Sequence, residues 1–269
     1  MTLRDKLIQG LIEAGIPSPR LEADIILKHS IPQYPNISEA EEKNAENMLK
    51  RRINHEPLDK IIGKREFYKS SFKVNSAVLS PRPDTEILVE SALELLPRDK
   101  ELKILDMGTG SGCILLSLLK ECPQILGVGL DISKEALKVA KENAKNLGLK
   151  NRVEFICQSW TDADLSLPQF DMIVSNPPYI PSAEIETLER EVKEYDPLTA
   201  LDGGTDGLNC YKDIAKILPN LLKDKAYALF EVGYNQADDV MDILKSIGLK
   251  PVKIVKDLVG IKRCVILQK

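Results

Sequence analysis

Residues 104–113 read ILDMGTGSGC. An apolar run delivers Asp106, then Gly108, Gly110 and Gly112 within five positions, and an apolar helical pattern follows. Glycines let the backbone turn sharply and let a ligand come close to the main chain. KILDMG (103–108) therefore reads as a strand and 111–121 as the helix after it. The same unit repeats downstream. ILGVGLD (125–131) is a strand followed by a helix over 133–147. VEFIC (153–157), FDMIVS (170–175) and AYALFEVG (226–233) are further strands, a helix follows near 235–247, and 252–256 and 264–268 are the last two strands. Strands alternating with helices predict an α/β fold with a mostly parallel sheet covered on both faces. In such sheets ligands sit at the carboxyl ends of the strands, where the strand order reverses.

The loop admits two cofactor readings. GxGxxG with an acid about twenty residues on is a dinucleotide fingerprint, and Asp131 ends the second strand. Position 113, however, is Cys, so the third glycine falls one residue early. Asp106 also suits a cofactor with a cationic amino-acid tail better than a pyrophosphate. The pattern resembles the S-adenosylmethionine site of class I methyltransferases. A carboxylate at Asp131 can accept both hydroxyls of a ribose. Trp160, the chain's only tryptophan, follows the third strand, where its indole can stack on adenine.

The fourth strand ends in VSNPPYIP (174–181). A planar amide or amino nitrogen is a poor nucleophile because its lone pair is delocalised, so it must be held with that lone pair toward the methyl donor. Asn176 can accept one N–H through its side-chain oxygen, and the Pro177 carbonyl can accept the other. Pro177 and Pro178 stiffen the loop and pre-organise those acceptors. Tyr179 can pack on the flat face of the target group. The nitrogen loses its proton during or after attack, so no strongly basic residue is required.

Upstream, the chain looks helical. Leu3, Leu7, Ile8, Leu11 and Ile12 follow helical spacing behind a Thr2 cap, and Gly15 with Pro17 ends that helix. Ser18-Pro19 opens a second helix with Leu21, Ile25 and Ile26 on its apolar face. Ser38 and Glu41 form a capping box for a third that runs to about Asn54. Glu56-Pro57 begins a short turn ending at Gly63, and 65–79 reads as a hairpin. SPRPDTEILVESALELL then leads, through its prolines, into a helix. The expected division is a helical substrate-recognition domain over 1–64, a β-hairpin linker over 65–80 and a methyltransferase domain over 81–269.

Composition narrows the function. Hydrophobic residues are 43% and charged residues 29% of 269, an ordinary globular balance. No stretch has the apolar length that crosses a bilayer, and Asp5 and Glu13 make the N-terminus an amphipathic helix rather than a signal peptide. Five scattered cysteines without a CxxC pair predict reduced thiols in a cytoplasmic setting. Two histidines, His29 and His55, leave little material for a metal site, and none is expected. Net charge is −4, with 13 basic against 11 acidic residues in 1–75 and 24 against 30 in the remainder. That is not the broad positive field of a nonspecific nucleic-acid binder, and no direct nucleic-acid partner is expected.

Together, EPLDKIIGKREFY (56–68), LSPRPDTEILVE (79–90), LDMGTGSG (105–112), VSNPPYIP (174–181), ALDGGTDGLNCY (200–211) and KDLVGIKR (256–263) resemble the HemK-type protein-(glutamine N5) methyltransferases, which modify peptide chain release factors. The likeness spans almost the whole chain. It implies a seven-stranded, Rossmann-like methyltransferase that converts S-adenosylmethionine to S-adenosylhomocysteine. The methyl would go to the side-chain nitrogen of the glutamine in a Gly-Gly-Gln loop. By resemblance, Asp106, Gly108, Thr109, Gly110, Ser111, Gly112, Asp131 and Trp160 would hold the cofactor. Asn176 would touch cofactor or substrate, and Pro177, Pro178 and Tyr179 would line the glutamine pocket. The family usually has Glu where Asp84 stands, and an acidic or glycine residue within 157–159. Arg82 and Glu86 read as residues at the start of a helix, and Glu231 as a support for the sheet's ligand edge. The competing functions are methylation of a nucleic-acid base (adenine N6 or guanine N2), methylation of a ribosomal-protein glutamine, and a non-enzymatic cofactor-binding module of the translation machinery.

Overall fold

The computed structural model describes residues 2–31, 37–97 and 99–269. Three helices come first: α1 (Leu3–Glu13), α2 (Pro19–Ser30) and α3 (Glu39–Ile53). The capping boxes at both α1 and α3 are formed, by Thr2 with Asp5 and by Ser38 with Glu41. Ser18 precedes α2 without a side-chain cap. The short α4 (Leu58–Ile62) ends in left-handed Gly63. Leu3, Leu7 and Leu11 enter the shared core with Ala23, Ile26, Leu27 and Met48. Ile12 and Leu21, expected on apolar faces, are exposed instead. The small Ala23 lets α2 approach its neighbours closely, so the buried stripe runs through Ala23, Ile26 and Leu27 and leaves Leu21 outside.

Strands β1 (Lys64–Phe67) and β2 (Ser70–Lys73) form an antiparallel hairpin. Its aromatic residues Phe67 and Phe72 meet edge to face at 6.0 Å. Both are buried in one core with residues of the next two helices, α5 (Glu86–Leu95) and α6 (Cys113–Glu121). The hairpin is therefore anchored in the larger unit that follows it.

The chain then runs β3 (Leu102–Met107), α6, β4 (Ile125–Asp131), α7 (Lys134–Asn146), β5 (Val153–Cys157) and β6 (Phe170–Ser175). After the single turn α8 (Arg190–Lys193) come α9 (Asn209–Leu221), β7 (Leu222–Glu231), α10 (Ala237–Ser246), β8 (Lys250–Lys256) and β9 (Lys262–Gln268). The seven-stranded sheet has the order β5-β4-β3-β6-β7-β9-β8. β3 to β7 pair in parallel, and β9 runs antiparallel to both β7 and β8. α5 and α6 pack on one face over Ile104, Met172 and Val174. α9 and α10 cover the other over Leu105, Met107 and Phe230.

Helix α9 was not expected from the sequence. It has no side-chain N-cap and carries Pro219 in its last turn, so both of its local boundary signals are poor. Its amphipathic face, with Tyr211, Ile214 and Leu218 fully buried, forms against the sheet. Strand β7 begins at Leu222 rather than Ala226 for the same reason: the helix runs directly into it.

Candidate active site

The order of strands reverses between β3 and β6, since the chain builds outward from β3 to β5 and then returns to the other side. A cleft opens at the carboxyl ends there, the location this topology favours. Its floor is the loop after β3. Gly108 N and Thr109 N both donate to the Leu130 carbonyl, at 2.8 and 3.0 Å, which ties the loop to β4. Gly108, Gly110 and Gly112 take φ of +75°, +54° and +80°, conformations that side chains with a Cβ resist. Gly110 N donates to Asp131 Oδ2 at 2.8 Å, and Ser133 N donates to Asp131 Oδ1 at 2.9 Å.

Gly108, Thr109, Gly110 and Ser111 line the cleft together with Asp131, Trp160, Asn176 and Pro178. The structure thus brings the glycine loop, the ribose-type acid, the indole and the reactive-end amide around one cleft. Gly112 is buried at the start of α6, with Leu116 and Ala140 against the place a Cβ would occupy. Pro177 is buried. Neither it nor Tyr179 lines this cleft.

Asp106 sits below the loop, fully buried. Thr109 Oγ1 donates to its Oδ2 at 2.7 Å, and Oδ1 has no partner. Burial pushes Asp106 up to about 7, and the nearby Asp131 carboxylate adds to the rise. Burial also raises Asp131, against the hydrogen bonds from Ser133 and Gly110. Asp131 lines the cleft and Asp106 stands buried beneath the loop, neither paired with a lysine or arginine among the described residues, so the charge here favours a cation. A pyrophosphate would be repelled there. Each Asp131 oxygen accepts only one main-chain N–H, which leaves acceptor capacity for ribose hydroxyls. The donor set therefore fits S-adenosylmethionine and not a dinucleotide.

The reactive end is assembled from distant segments. Ser175 Oγ donates to the Met107 carbonyl at 2.6 Å and fixes the end of β6 to β3. Asn176 Nδ2 donates to Thr85 Oγ1, at 3.2 Å, in the turn before α5. Behind them, Glu231 ends β7, buried, with Tyr179 Oη donating to its Oε1 at 3.5 Å. Burial pushes Tyr179 well up, so its phenol stays a donor.

The segment ALDGGTDG (200–207) carries no role that its sequence alone reveals. The structure supplies one. Ile180 N donates to the Leu201 carbonyl and Gly203 N donates to the Ile180 carbonyl, so the segment clamps the NPPY strap. A Cβ on Gly207 would stand 2.3 Å from the Tyr179 carbonyl oxygen, which leaves room for glycine alone.

Two buried networks were also missed. Asn143, in α7, donates to Ser111 O at 2.9 Å and Lys73 O at 3.1 Å, and accepts from Lys73 N at 2.7 Å. It links β2 to the glycine loop. Lys60, from α4, donates to the Val78 and Tyr195 carbonyls and to Asp196. Asp196 also accepts from Arg82 at 2.9 Å. Pro197, Thr199 and Ala200, which follow Asp196 directly, form a wall of the cleft. Arg52 adds ion pairs to Glu22 at 2.6 Å and Glu191 at 2.8 Å. The N-terminal helices are therefore joined to the cleft wall through buried charge. Arg82 belongs to this junction, and Glu86 accepts from Tyr68 N at 3.2 Å, which holds the hairpin to α5. Asp84, a methylene shorter than its usual counterpart, still reaches Arg263 at 2.8 Å. Among the described residues no cluster of metal-ligating side chains occurs, and no helix is long and apolar enough to cross a membrane.

The mostly parallel seven-stranded sheet, the glycine loop and the cleft lined by Asp131 define a class I S-adenosylmethionine-dependent methyltransferase. A methyltransferase domain model matches residues 98–233, and the model described as PrmC N-terminal domain matches residues 2–63. The release factor glutamine methyltransferase of Rhodospirillum rubrum is 42% identical over 276 residues, covering 99% of this chain and 84% of that protein. The one from Koribacter versatilis is 40% identical and covers 100% and 99%. The chain belongs to the release factor glutamine methyltransferase family. Among solved structures, a methyltransferase from Pyrococcus furiosus superposes with a TM-score of 0.55 at 16% identity, over 74% of this chain and 88% of that one. That likeness concerns the fold alone.

Proposed function

We propose that this chain transfers a methyl group from S-adenosylmethionine to the side-chain nitrogen (N5) of the glutamine in the Gly-Gly-Gln loop of peptide chain release factors, and releases S-adenosylhomocysteine. The observation that carries the reading is that Asn176 lines the same cleft as the glycine loop, Asp131 and Trp160. An amide acceptor beside a cation-favouring cofactor floor suits a neutral nitrogen nucleophile.

When bound, the cofactor supplies an electrophilic methyl on a positively charged sulfur. The residues of this chain then do four things. Asp131 orients the ribose, and Trp160 offers the adenine a stacking face. Asn176 Oδ1 accepts one N–H of the glutamine amide, and the Pro177 carbonyl accepts the other. These contacts turn the nitrogen lone pair toward the methyl and make the encounter effectively unimolecular. The methylated nitrogen is strongly acidic while positively charged, so its proton leaves without a strong base. Pro177, Pro178 and the DGG clamp keep the acceptors from relaxing away.

The helical N-terminal region, over about residues 1–64, would recognise the body of the release factor. Its near-neutral charge and small size suit a protein partner better than a duplex, which needs a positive face and a way to flip a base. The same reading places the enzyme in the cytoplasm, beside the translation machinery.

Peptide mass spectrometry tests this directly. The enzyme and S-adenosylmethionine are incubated with a release factor, with a copy whose motif glutamine is alanine, and with duplex DNA. One added methyl on the Gly-Gly-Gln peptide of the first sample alone is expected. Methylated bases with an unmodified factor would overturn the substrate assignment while leaving the amino-group chemistry intact.

A further inference from the structure

We propose that Glu231 is a positioning residue for this reaction: its carboxylate, behind the cleft, holds the Asn176 amide with Nδ2 turned inward and Oδ1 offered to the substrate. The proposal rests on the glutamine-methylation reading and adds to it a residue that never touches the substrate.

The sheet register creates the juxtaposition. Ser175 pairs with Phe230 in the parallel β6–β7 ladder, so Asn176 and Glu231 stand side by side at the strand ends. Glu231 is 2% exposed, and its Oε2 has no hydrogen-bond partner. A buried carboxyl left half-satisfied is costly unless it does something. Thr85 stands against both residues. Asn176 Nδ2 donates to Thr85 Oγ1 at 3.2 Å. A hydroxyl has one proton to give. Once Thr85 has accepted from Asn176, that proton is free for Glu231, and side-chain hydrogen bonding from Thr85 and from Asn176 favours ionised Glu231. A carboxylate can only accept, so the end of the amide turned toward it is the nitrogen end. Oδ1 is then the end left for the cleft.

Protonation reverses the chain. A neutral Glu231 can donate to Thr85 Oγ1, whose own proton then turns toward Asn176. The amide is best satisfied by rotating, which presents NH2 to the substrate NH2. Turnover therefore needs ionised Glu231. Burial pushes Glu231 up to about 7, so the switch falls in the neutral range. The groups facing it are Tyr179 from the strap, Asp84 and Thr85 from the turn before α5, and Arg263 and Cys264 from β9. Tyr211 of α9 donates to the Glu231 main-chain oxygen at 2.8 Å and leaves the carboxylate alone. Arg263 favours the ionised form and Asp84 opposes it. Asp106 titrates nearby in pH, but it lies under the cofactor loop. Its effect enters through the KM for S-adenosylmethionine and disappears at saturation.

The test measures kcat of the full chain on a release factor at saturating cofactor, from about pH 6 to 8.5, the span in which such a limb is readable. The wild type should lose rate below about pH 7. Glu231→Gln should lower kcat about 10- to 100-fold, the scale of a misplaced contact. It should also abolish the acid limb and leave cofactor binding by calorimetry unchanged. Thr85→Val removes a donor to the carboxylate and should move the limb to higher pH. If Glu231→Gln keeps both the wild-type rate and the wild-type limb, the proposal is wrong. Should that variant fail to fold, a Thr85→Val limb that does not move is equally fatal. A wild-type enzyme that leaves the Gly-Gly-Gln glutamine unmodified overturns the substrate reading itself, and that result is distinct because it is seen before any variant is made.

Discussion

The two ends of the cleft are built differently. The cofactor end is nearly local in sequence. Asp106 to Gly112 form one turn, Asp131 ends the next strand, and the Gly110 N–H donating to the Asp131 carboxylate closes the unit. The reactive end is a meeting of strangers. Asn176, Thr85 and Glu231 come from three separated segments, the clamp on Ile180 comes from residues 201–203, and Asp196 is held by Lys60 from the N-terminal helices. A nucleoside site can travel as a motif on one βαβ unit. A site that must aim the lone pair of an amide needs constraints from several directions.

That contrast can be broken by experiment. The largest effect should come from Lys60→Ala, which leaves the buried Asp196 carboxylate with Arg82 as its remaining cation. Breaking a buried pair outright costs about 3–5 kcal/mol, so denaturant unfolding should show a loss approaching that size. A loss near zero would mean that the long-range junction does not hold the cleft wall. Asn176→Ala should come next. Removing one preorganised polar contact lowers kcat on the order of 10²–10³, and cofactor affinity should stay almost unchanged. Equal losses in both would erase the distinction between the two ends.

Asp131→Ala should behave in the opposite way. It deletes a charged acceptor of two main-chain N–H groups, and hydrogen bonds to charged groups are worth about 1.5–3 kcal/mol. The expected result in calorimetry is a cofactor Kd weakened roughly 10- to 100-fold, with kcat at saturation much less affected. The smallest effect should be Thr2→Ala. It removes the cap of α1, far from the cleft. About 1 kcal/mol of stability should go, and the rate should not change. A lowered kcat would mean that the N-terminal helices take part in catalysis more closely than through Lys60.

Legibility in the sequence followed the same division. The strands β3 to β6, the glycine loop, Asp131 and Trp160 were readable because periodicity and spacing carry them. The Thr2 cap and the Ser38 capping box were readable for the same reason, whereas the Thr2–Asp5 box appeared only in the structure. Asn176 was readable through its prolines. Helix α9 was not, since Pro219 and the missing cap disguise it. Leu21 was misplaced because its spacing fits a helix face that the close packing of Ala23 turns outward. Thr85 and Asp196 gave no local signal. The only hint of the clamp was the glycine density of LDGGTDG, whose purpose appears once Gly207 is seen against the Tyr179 carbonyl.

By itself, then, the sequence determined the layered α/β plan, the helical N-terminal region, the glycine loop with its acid at the next strand end, and the NPPY turn that closes β6. Each of these is encoded in neighbours along the chain, where hydrogen-bond geometry and side-chain period act over a few residues. Only the tertiary structure decided which groups stand behind Asn176, how Lys60 and Asp196 join the helices to the cleft wall, and why Gly203 and Gly207 must be glycine. Those contacts join residues far apart in sequence, and it is sheet register and burial in three dimensions that select them.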